Sequence, residues 1–263
     1  MSLDQGKDEN RDGGQRLDPS IVPPIPQVSD PWTVDKALAS LSEAKPPQNS
    51  RSPLPYFHLM ERLKTTKRAG WKRFGISQGE SLSDHMYRMA LMSMCAPESL
   101  RGRLDLSKCM TMCLVHDMAE SLVGDLTPLD GVPKPEKSRR EAGTMEYITK
   151  ELMNGFTENG EAIRAAWLEF EEAETLDSRY VQDLDKIELL AQMMEYERRG
   201  KGEIDLSEFT YVATKVMLPE MKAWADEILA ERKEFWDRVS GAAEKTTDVS
   251  SEHKELLDQY YDH

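Results

Sequence analysis

Leu114 to Asp125 reads LVHDMAESLVGD, an apolar run that carries four ionisable residues, His116, Asp117, Glu120 and Asp125. Around them Leu114, Val115, Met118, Ala119, Leu122 and Val123 recur at helical intervals. The pattern predicts one long helix from Asp105, ended by Gly124, the residue type that most readily closes a helix C-terminus. An unpaired charge inside a core is costly, so these groups need partners. Either the helix buries a satisfied polar pair, or the groups coordinate something.

The same periodicity extends outward in both directions. YFHLMERLKTTKR places Phe57, Met60 and Leu63 on one face, and SLSDHMYRMALMSMC turns Met86, Met89, Ala90 and Met94 inward behind a serine cap at Ser81 or Ser83. DLTPLDGVPKP then reads as a loop, with X-Pro steps and an Asp-Gly turn signal. Helical patterns return over 135–153, 160–174, 176–199 and 219–239, with a shorter one in LSEFTYVATKV. No β-branched alternation competes with them. The fold class is therefore all-α, a single globular bundle over residues 55–240.

Residues 1–54 read as a mostly disordered N-terminal arm, rich in Gly, Asp, Gln and Pro, with a short helix possible in WTVDKALASLSEA. Residues 241–263 read as a polar C-terminal tail. The net charge is −14 with 31% charged residues, and such a surface repels nucleic-acid backbone. No apolar run approaches a membrane span, and MSLDQGKDENRDGGQ has no apolar signal core. A cytoplasmic or nuclear protein that binds neither nucleic-acid polymer nor membrane is expected. Cys95, Cys109 and Cys113 have no CxxC spacing and read as buried reduced thiols.

His116 and Asp117 are neighbours on a helix, about 100° apart, so they converge on one point only from its edge. An ion between them needs further ligands. The chain has 5 histidines, and His85 is the other one on an apolar helix, 31 residues upstream (116 − 85). A carboxylate could come from YVQDLDKIELLAQMMEYE, where Val181, Leu184, Ile187, Leu190 and Ala191 form the apolar stripe. Periodicity alone leaves Asp185 and Glu188 both open. Two imidazoles and two carboxylates make a borderline-to-hard donor set, suited to Mn²⁺, Co²⁺, Fe²⁺, Zn²⁺ or Mg²⁺. Taken singly, each residue has an ordinary structural explanation; the order His, His-Asp, Asp on successive apolar helices is harder to explain without a metal.

That order, with SDHMYRMALMSM, LVHDMAESLVGDLTP, KSRREAGTMEYI and VQDLDKIELLAQMMEYE around it, resembles the HD-domain 5′-deoxynucleotidases. The similarity is to the eukaryotic HD domain-containing protein two branch and to bacterial YfbR, and it spans about 55–240. The resemblance selects Asp185 over Glu188 and implies His85, His116, Asp117 and Asp185 as metal ligands. It implies catalytic roles for Glu120 and Asp125, with further divalent-ion contacts, and a homodimer that hydrolyses deoxyribonucleoside 5′-monophosphates with Mn²⁺, Co²⁺ or Mg²⁺. Trp71, fourteen residues before His85, matches the family's tryptophan beside the deoxyribose. The bacterial enzymes carry an arginine immediately before that tryptophan, where this chain has Gly70. Arg68, Lys72 and Arg73 are the nearby cations for a phosphate, and the choice between Arg68 and Arg73 stays open. The rival readings are an HD phosphohydrolase of cyclic dinucleotides, triphosphates or alarmones, and a non-catalytic scaffold stabilised by metal.

Overall fold

The computed structural model describes residues 30–41, 51–240 and 251–261. Most of the arm expected before residue 30, and the stretches 42–50, 241–250 and 262–263, lie outside the described residues. The helices in chain order are α1 (Val34–Ser40), α2 (Leu54–Thr65), α3 (Ala69–Lys72), α4 (Leu82–Ser93), α5 (Glu98–Arg101) and α6 (Leu106–Val115). They continue as α7 (Glu120–Val123), α8 (Lys134–Glu146), α9 (Thr157–Glu172), α10 (Leu176–Arg199), α11 (Pro219–Ser240) and α12 (Ser251–Tyr261). Tighter 3₁₀ turns cover Pro128–Asp130, Asn154–Phe156 and Ser207–Lys215. Among the described residues no strand forms, and a lone antiparallel bridge joins Lys67 to Ser81. The all-α class follows directly from the 3.6-residue spacing of the apolar positions.

Helix α10 is the axis of the molecule, packed by α4, α6, α9, α11 and the Ser207–Lys215 turns. Tyr180, Val181, Leu184, Leu190 and Met193 are wholly buried along it. A helix enclosed on several sides must also satisfy its polar residues internally. Asp183 accepts the backbone N–H groups of Met217 (2.8 Å) and Leu218 (2.7 Å) at the entry to α11. Glu197 receives both prongs of Arg232, at 2.9 and 2.8 Å, and the indole N–H of Trp236 at 2.9 Å. These buried pairs tie α11 to α10.

The structure departs from the sequence reading in several places. The long helix through Asp117 is broken: α6 stops at Val115, and Met118, Glu120 and Ser121 donate to the carbonyls three residues back. Gly124 closes the break with φ +83°, a conformation that disfavours any side chain. On α2 the inward residues are Leu59 and Leu63, while Phe57 is 55% exposed, because the helix turns its Leu59 edge to the core. On α4 Ser93 takes the inward position and Met94 is exposed at the helix end. Cys109 and Cys113 are buried free thiols, whereas Cys95 lies exposed just past α4.

Two segments outside the expected domain join the body. Trp32 is 3% exposed, Ala37 and Leu38 are buried, and α1 packs on α7 and α8. Arg139 donates to the Trp32 carbonyl at 2.8 Å, and the Arg140 guanidinium lies over the indole. At the other end, the expected polar tail holds the three-turn helix α12, which packs on the Pro128–Asp130 and Ser207–Lys215 turns and buries Leu257. In both cases a few apolar residues inside a polar stretch suffice to dock a short helix.

Candidate functional site

His85 stands on the first turn of α4. Ser81 caps that helix, accepting from the Asp84 N–H while the Asp84 carboxylate accepts from the Ser81 N–H, which fixes where the turn begins. The imidazole is fully buried. Its Nδ1 lies 2.6 Å from Glu188 Oε2 on α10, which orients the ring and turns Nε2 toward the interior. Burial and Arg68 oppose a charge on the imidazole, but Glu188 and Asp185 outweigh them and push it up to about 10. His116, in the tight turn after α6, repeats the arrangement: its Nδ1 is 3.0 Å from the Cys113 carbonyl and its Nε2 is left facing His85. The two rings are 5.4 Å apart.

Carboxylates meet these nitrogens. Asp117 Oδ2 lies 3.3 Å from His116 Nε2 and 3.9 Å from His85 Nε2, and Asp185 Oδ1 lies 3.0 Å from His85 Nε2. The tight turn makes this possible, since it swings Asp117 back over His116 as a straight helix would not. Despite these short approaches, neither Nε2 makes a properly directed hydrogen bond. Two buried Nε2 atoms without a well-directed partner, facing the Asp117 and Asp185 carboxylates, fit a shared cation that would displace any proton they carry. His85, His116 and Asp117 offer atoms within 4.8 Å of one another. Asp185 is set against His85 at the edge of that group rather than inside it.

The acidic groups are driven to different charge states. Burial raises the Asp117 carboxyl, but His116 and Arg68 outweigh it and hold it below the usual carboxylate range. Burial likewise works against Asp185, and His85 and Arg68 outweigh it in the same direction. Glu120 is the reverse: burial, then Asp117 and Asp125, raise it well above the usual range, against a weaker pull from Lys137. Its Oε2 is buried without a hydrogen-bond partner, and Lys137 Nζ is 3.7 Å from Oε1. Carboxyl groups pushed apart in this way divide naturally into anionic ligands and a proton carrier. Asp125, past the Gly124 turn, accepts the Ala69 N–H at 2.5 Å and so ties the α7 end to the start of α3.

Arg68 reaches Asp117 at 3.3 Å and Glu80 at 3.9 Å. Burial opposes its charge, but Asp125, Asp117, Asp185 and Glu80 surround it and hold it charged. The Lys67–Ser81 bridge places it there, by joining the α2–α3 corner to the start of α4. Trp71 is 1% exposed, wedged between Phe209 (4.5 Å) and Tyr196 (5.2 Å), with its indole N–H on Glu80 at 2.9 Å. Arg73 stays at the rim, where Glu208 binds it at 3.1 Å. Arg68, Trp71, Arg73, Asp117, Glu120, Asp125 and Asp185 line one cleft of about 890 Å³, its open mouth included. His116, Asp117 and Asp185 also border a second cleft, among Lys134, Lys137, Glu141 and Glu171.

Sequence reasoning missed Glu188 as the group that orients His85, along with Arg88, which holds Glu188 at 2.7 Å and Glu195 at 2.9 Å. The signal was present: His85 and Arg88 share a face of α4, as Glu188 and Glu195 do on α10. Leu257 on the cleft wall had no sequence signal at all.

Comparison with known proteins agrees with this architecture. The HD domain family model matches residues 60–225. The chain is similar to 5′-deoxynucleotidase hdd1 of Schizosaccharomyces pombe, 43% identical over 192 residues, or 72% of this chain and 95% of the relative. It is similar to 5′-deoxynucleotidase YGK1 of Saccharomyces cerevisiae, 40% identical over 77% of this chain and 91% of the relative. Human 5′-deoxynucleotidase HDDC2 is 36% identical over 74% of this chain and 94% of the relative. Among solved structures, HD domain-containing protein YGK1 superposes with a TM-score of 0.57 at 32% identity, over 78% of this chain and 100% of that one. With the match covering most of the catalytic body and of its relatives, the chain belongs to the HD-domain 5′-deoxynucleotidase family.

Proposed function

We propose that this chain is a divalent-metal-dependent phosphohydrolase that converts deoxyribonucleoside 5′-monophosphates to deoxyribonucleoside and phosphate. The observation that carries the reading is the pair of buried Nε2 atoms of His85 and His116 facing Asp117, which itself lines a cleft shared with Arg68, Leu129, Val212 and Leu257. His85, His116, Asp117 and Asp185 would hold the ion, with Mn²⁺, Co²⁺ or Mg²⁺ suiting the donor set. When bound, such an ion supplies Lewis-acid neutralisation of phosphoryl charge and acidifies water near neutral pH.

The chain's own residues do the rest. Arg68, held charged inside the cleft, offsets the repulsion between a phosphate dianion and the carboxylates and orients its oxygens. Glu120, whose carboxyl is raised by burial and by Asp117 and Asp125, serves as general acid or base, and Asp125 positions the attacking water or protonates the departing 5′-oxygen. Trp71, immobilised by Phe209, Tyr196 and Glu80, presents a rigid apolar surface beside the sugar.

The self-association implied by the resemblance has support in an apolar stripe along α4 and its C-terminal end, Tyr87, Leu91 and Met94, spaced at i, i+4, i+7 and left 63%, 45% and 53% exposed among the described residues. Light scattering at two concentrations tests it. No helix among the described residues is long and apolar enough to cross a membrane, which agrees with a cytoplasmic or nuclear enzyme.

The deciding experiment is turnover of the purified full-length chain, with Mn²⁺ or Co²⁺, on deoxyribonucleoside and ribonucleoside monophosphates, triphosphates and cyclic dinucleotides. Phosphate release confined largely to the deoxyribonucleoside monophosphates is the expected result. Turnover of the other nucleotides alone, or none in a metal-loaded protein, overturns it in favour of the rival enzyme or the scaffold.

A further inference from the structure

Helix α12 carries no metal-centre residue and lies beyond the matched HD region, yet it reaches the same cleft. Leu257 is 8% exposed and faces the cleft beside Leu129 and Val212. Its neighbour Asp258 points elsewhere: Tyr211 donates its hydroxyl to Asp258 Oδ1 at 2.7 Å, and Lys215 Nζ lies 2.6 Å from the same oxygen. Consecutive helix residues are about 100° apart, so anchoring Asp258 on the Ser207–Lys215 turns fixes the rotation that turns Leu257 inward.

The cleft lining combines a polar set, Arg68, Asp117, Glu120, Asp125 and Asp185, with an apolar set, Leu129, Val212 and Leu257, and has Arg73 and Glu208 at its rim. The candidate ligands stand on α4, in the turn after α6, and on α10. The packing partners of α12 are instead the Pro128–Asp130 and Ser207–Lys215 turns. A nucleoside monophosphate combines the same two characters, with a phosphate at one end and a flat, largely apolar base at the other. With the phosphate drawn to Arg68, the base extends toward Leu129, Val212 and Leu257.

We propose that α12 is a working wall of the substrate cleft: Leu257 packs on the nucleobase, and the Tyr211–Asp258–Lys215 contact latches it in place. The proposal rests on the substrate reading above. It makes the C-terminal segment, outside the HD body, a determinant of how strongly the base contributes to binding.

The test compares substrates with and without a base, using full-length protein and Mn²⁺. Leu257→Ala raises KM for dAMP roughly fivefold, the scale of losing one or two apolar carbons from a contact, and leaves kcat unchanged. For 2-deoxyribose 5-phosphate, which has no base, neither parameter moves. Leu257→Met restores the dAMP value, and Asp258→Asn shifts it in the same direction as the alanine variant. Equal effects on both substrates, or none on dAMP, overturn the proposal. If the wild-type protein turns over neither substrate, the activity reading fails separately. The wall is then judged by calorimetry, with Leu257→Ala weakening deoxyadenosine binding and sparing inorganic phosphate; unchanged deoxyadenosine binding overturns it.

Discussion

His85 Nδ1 lies 2.6 Å from Glu188 Oε2, both side chains fully buried, and this contact turns Nε2 of His85 toward Asp117 and Asp185. Burial works against the Glu188 carboxylate, but His85 and Arg88 outweigh it and keep it ionised. Carboxylates in this position orient a histidine and raise its basicity toward a metal. Glu188→Gln is expected to weaken Mn²⁺ binding about 10- to 100-fold, with the fold retained, as read by calorimetry and circular dichroism. Unchanged affinity would assign Glu188 to packing alone.

Glu120 has a different part, because it sits beside the ligand group with one oxygen unpartnered. Glu120→Gln keeps its shape and removes its proton chemistry. The expected outcome is a kcat lower by about 10²–10⁴-fold, while Mn²⁺ binding falls less than in His116→Ala. Steady-state rates beside metal titrations separate the two.

Arg68 and Arg73 make opposite predictions. Arg68 is buried among the carboxylates, whereas Arg73 is held at the rim by Glu208. Arg68→Ala should raise KM for a deoxyribonucleoside monophosphate by roughly 10- to 100-fold, the scale of a charge-assisted hydrogen bond. Arg73→Ala should change it far less, and the reverse ranking would move the phosphate site to the rim.

The N-terminal helix makes a stability prediction. Trp32 is nearly wholly buried against α8, so Trp32→Ala should cost about 3–5 kcal/mol in urea unfolding.

Glu171 is one source of pH dependence, beside Glu80, which burial and Glu188 also push up to about 7. Burial and Glu141 push the Glu171 carboxyl up to about 7 from the ordinary 4.5, in spite of Lys137. The folded chain therefore holds a proton there that the unfolded chain has released, and stability falls as pH rises from about 4.5 through about 7. In EDTA-treated protein, unfolding free energies between pH 5 and 8 should show this decline, and Glu171→Gln should lessen it, leaving the part due to Glu80. A decline of the same size in the variant assigns it to another group.

The sequence alone determined the all-α class, because helical spacing of apolar residues is a local property, written continuously from Tyr56 to Val239. It also marked His85, His116 and Asp117, since polar residues on apolar helices stand out against that spacing. It could not choose between Asp185 and Glu188, which are three residues apart on one helix; the resemblance selected Asp185. Only the tertiary structure gave them distinct surroundings, because α4 packs across α10 so that Nε2 of His85 meets Asp185 and Nδ1 meets Glu188. The break at His116 was equally invisible, since nothing in LVHD disfavours a straight helix locally; long-range convergence on His85 accompanies it. The docking of α1 and α12 also came from packing, where Trp32 and Leu257 each found an apolar surface built by residues distant in the chain.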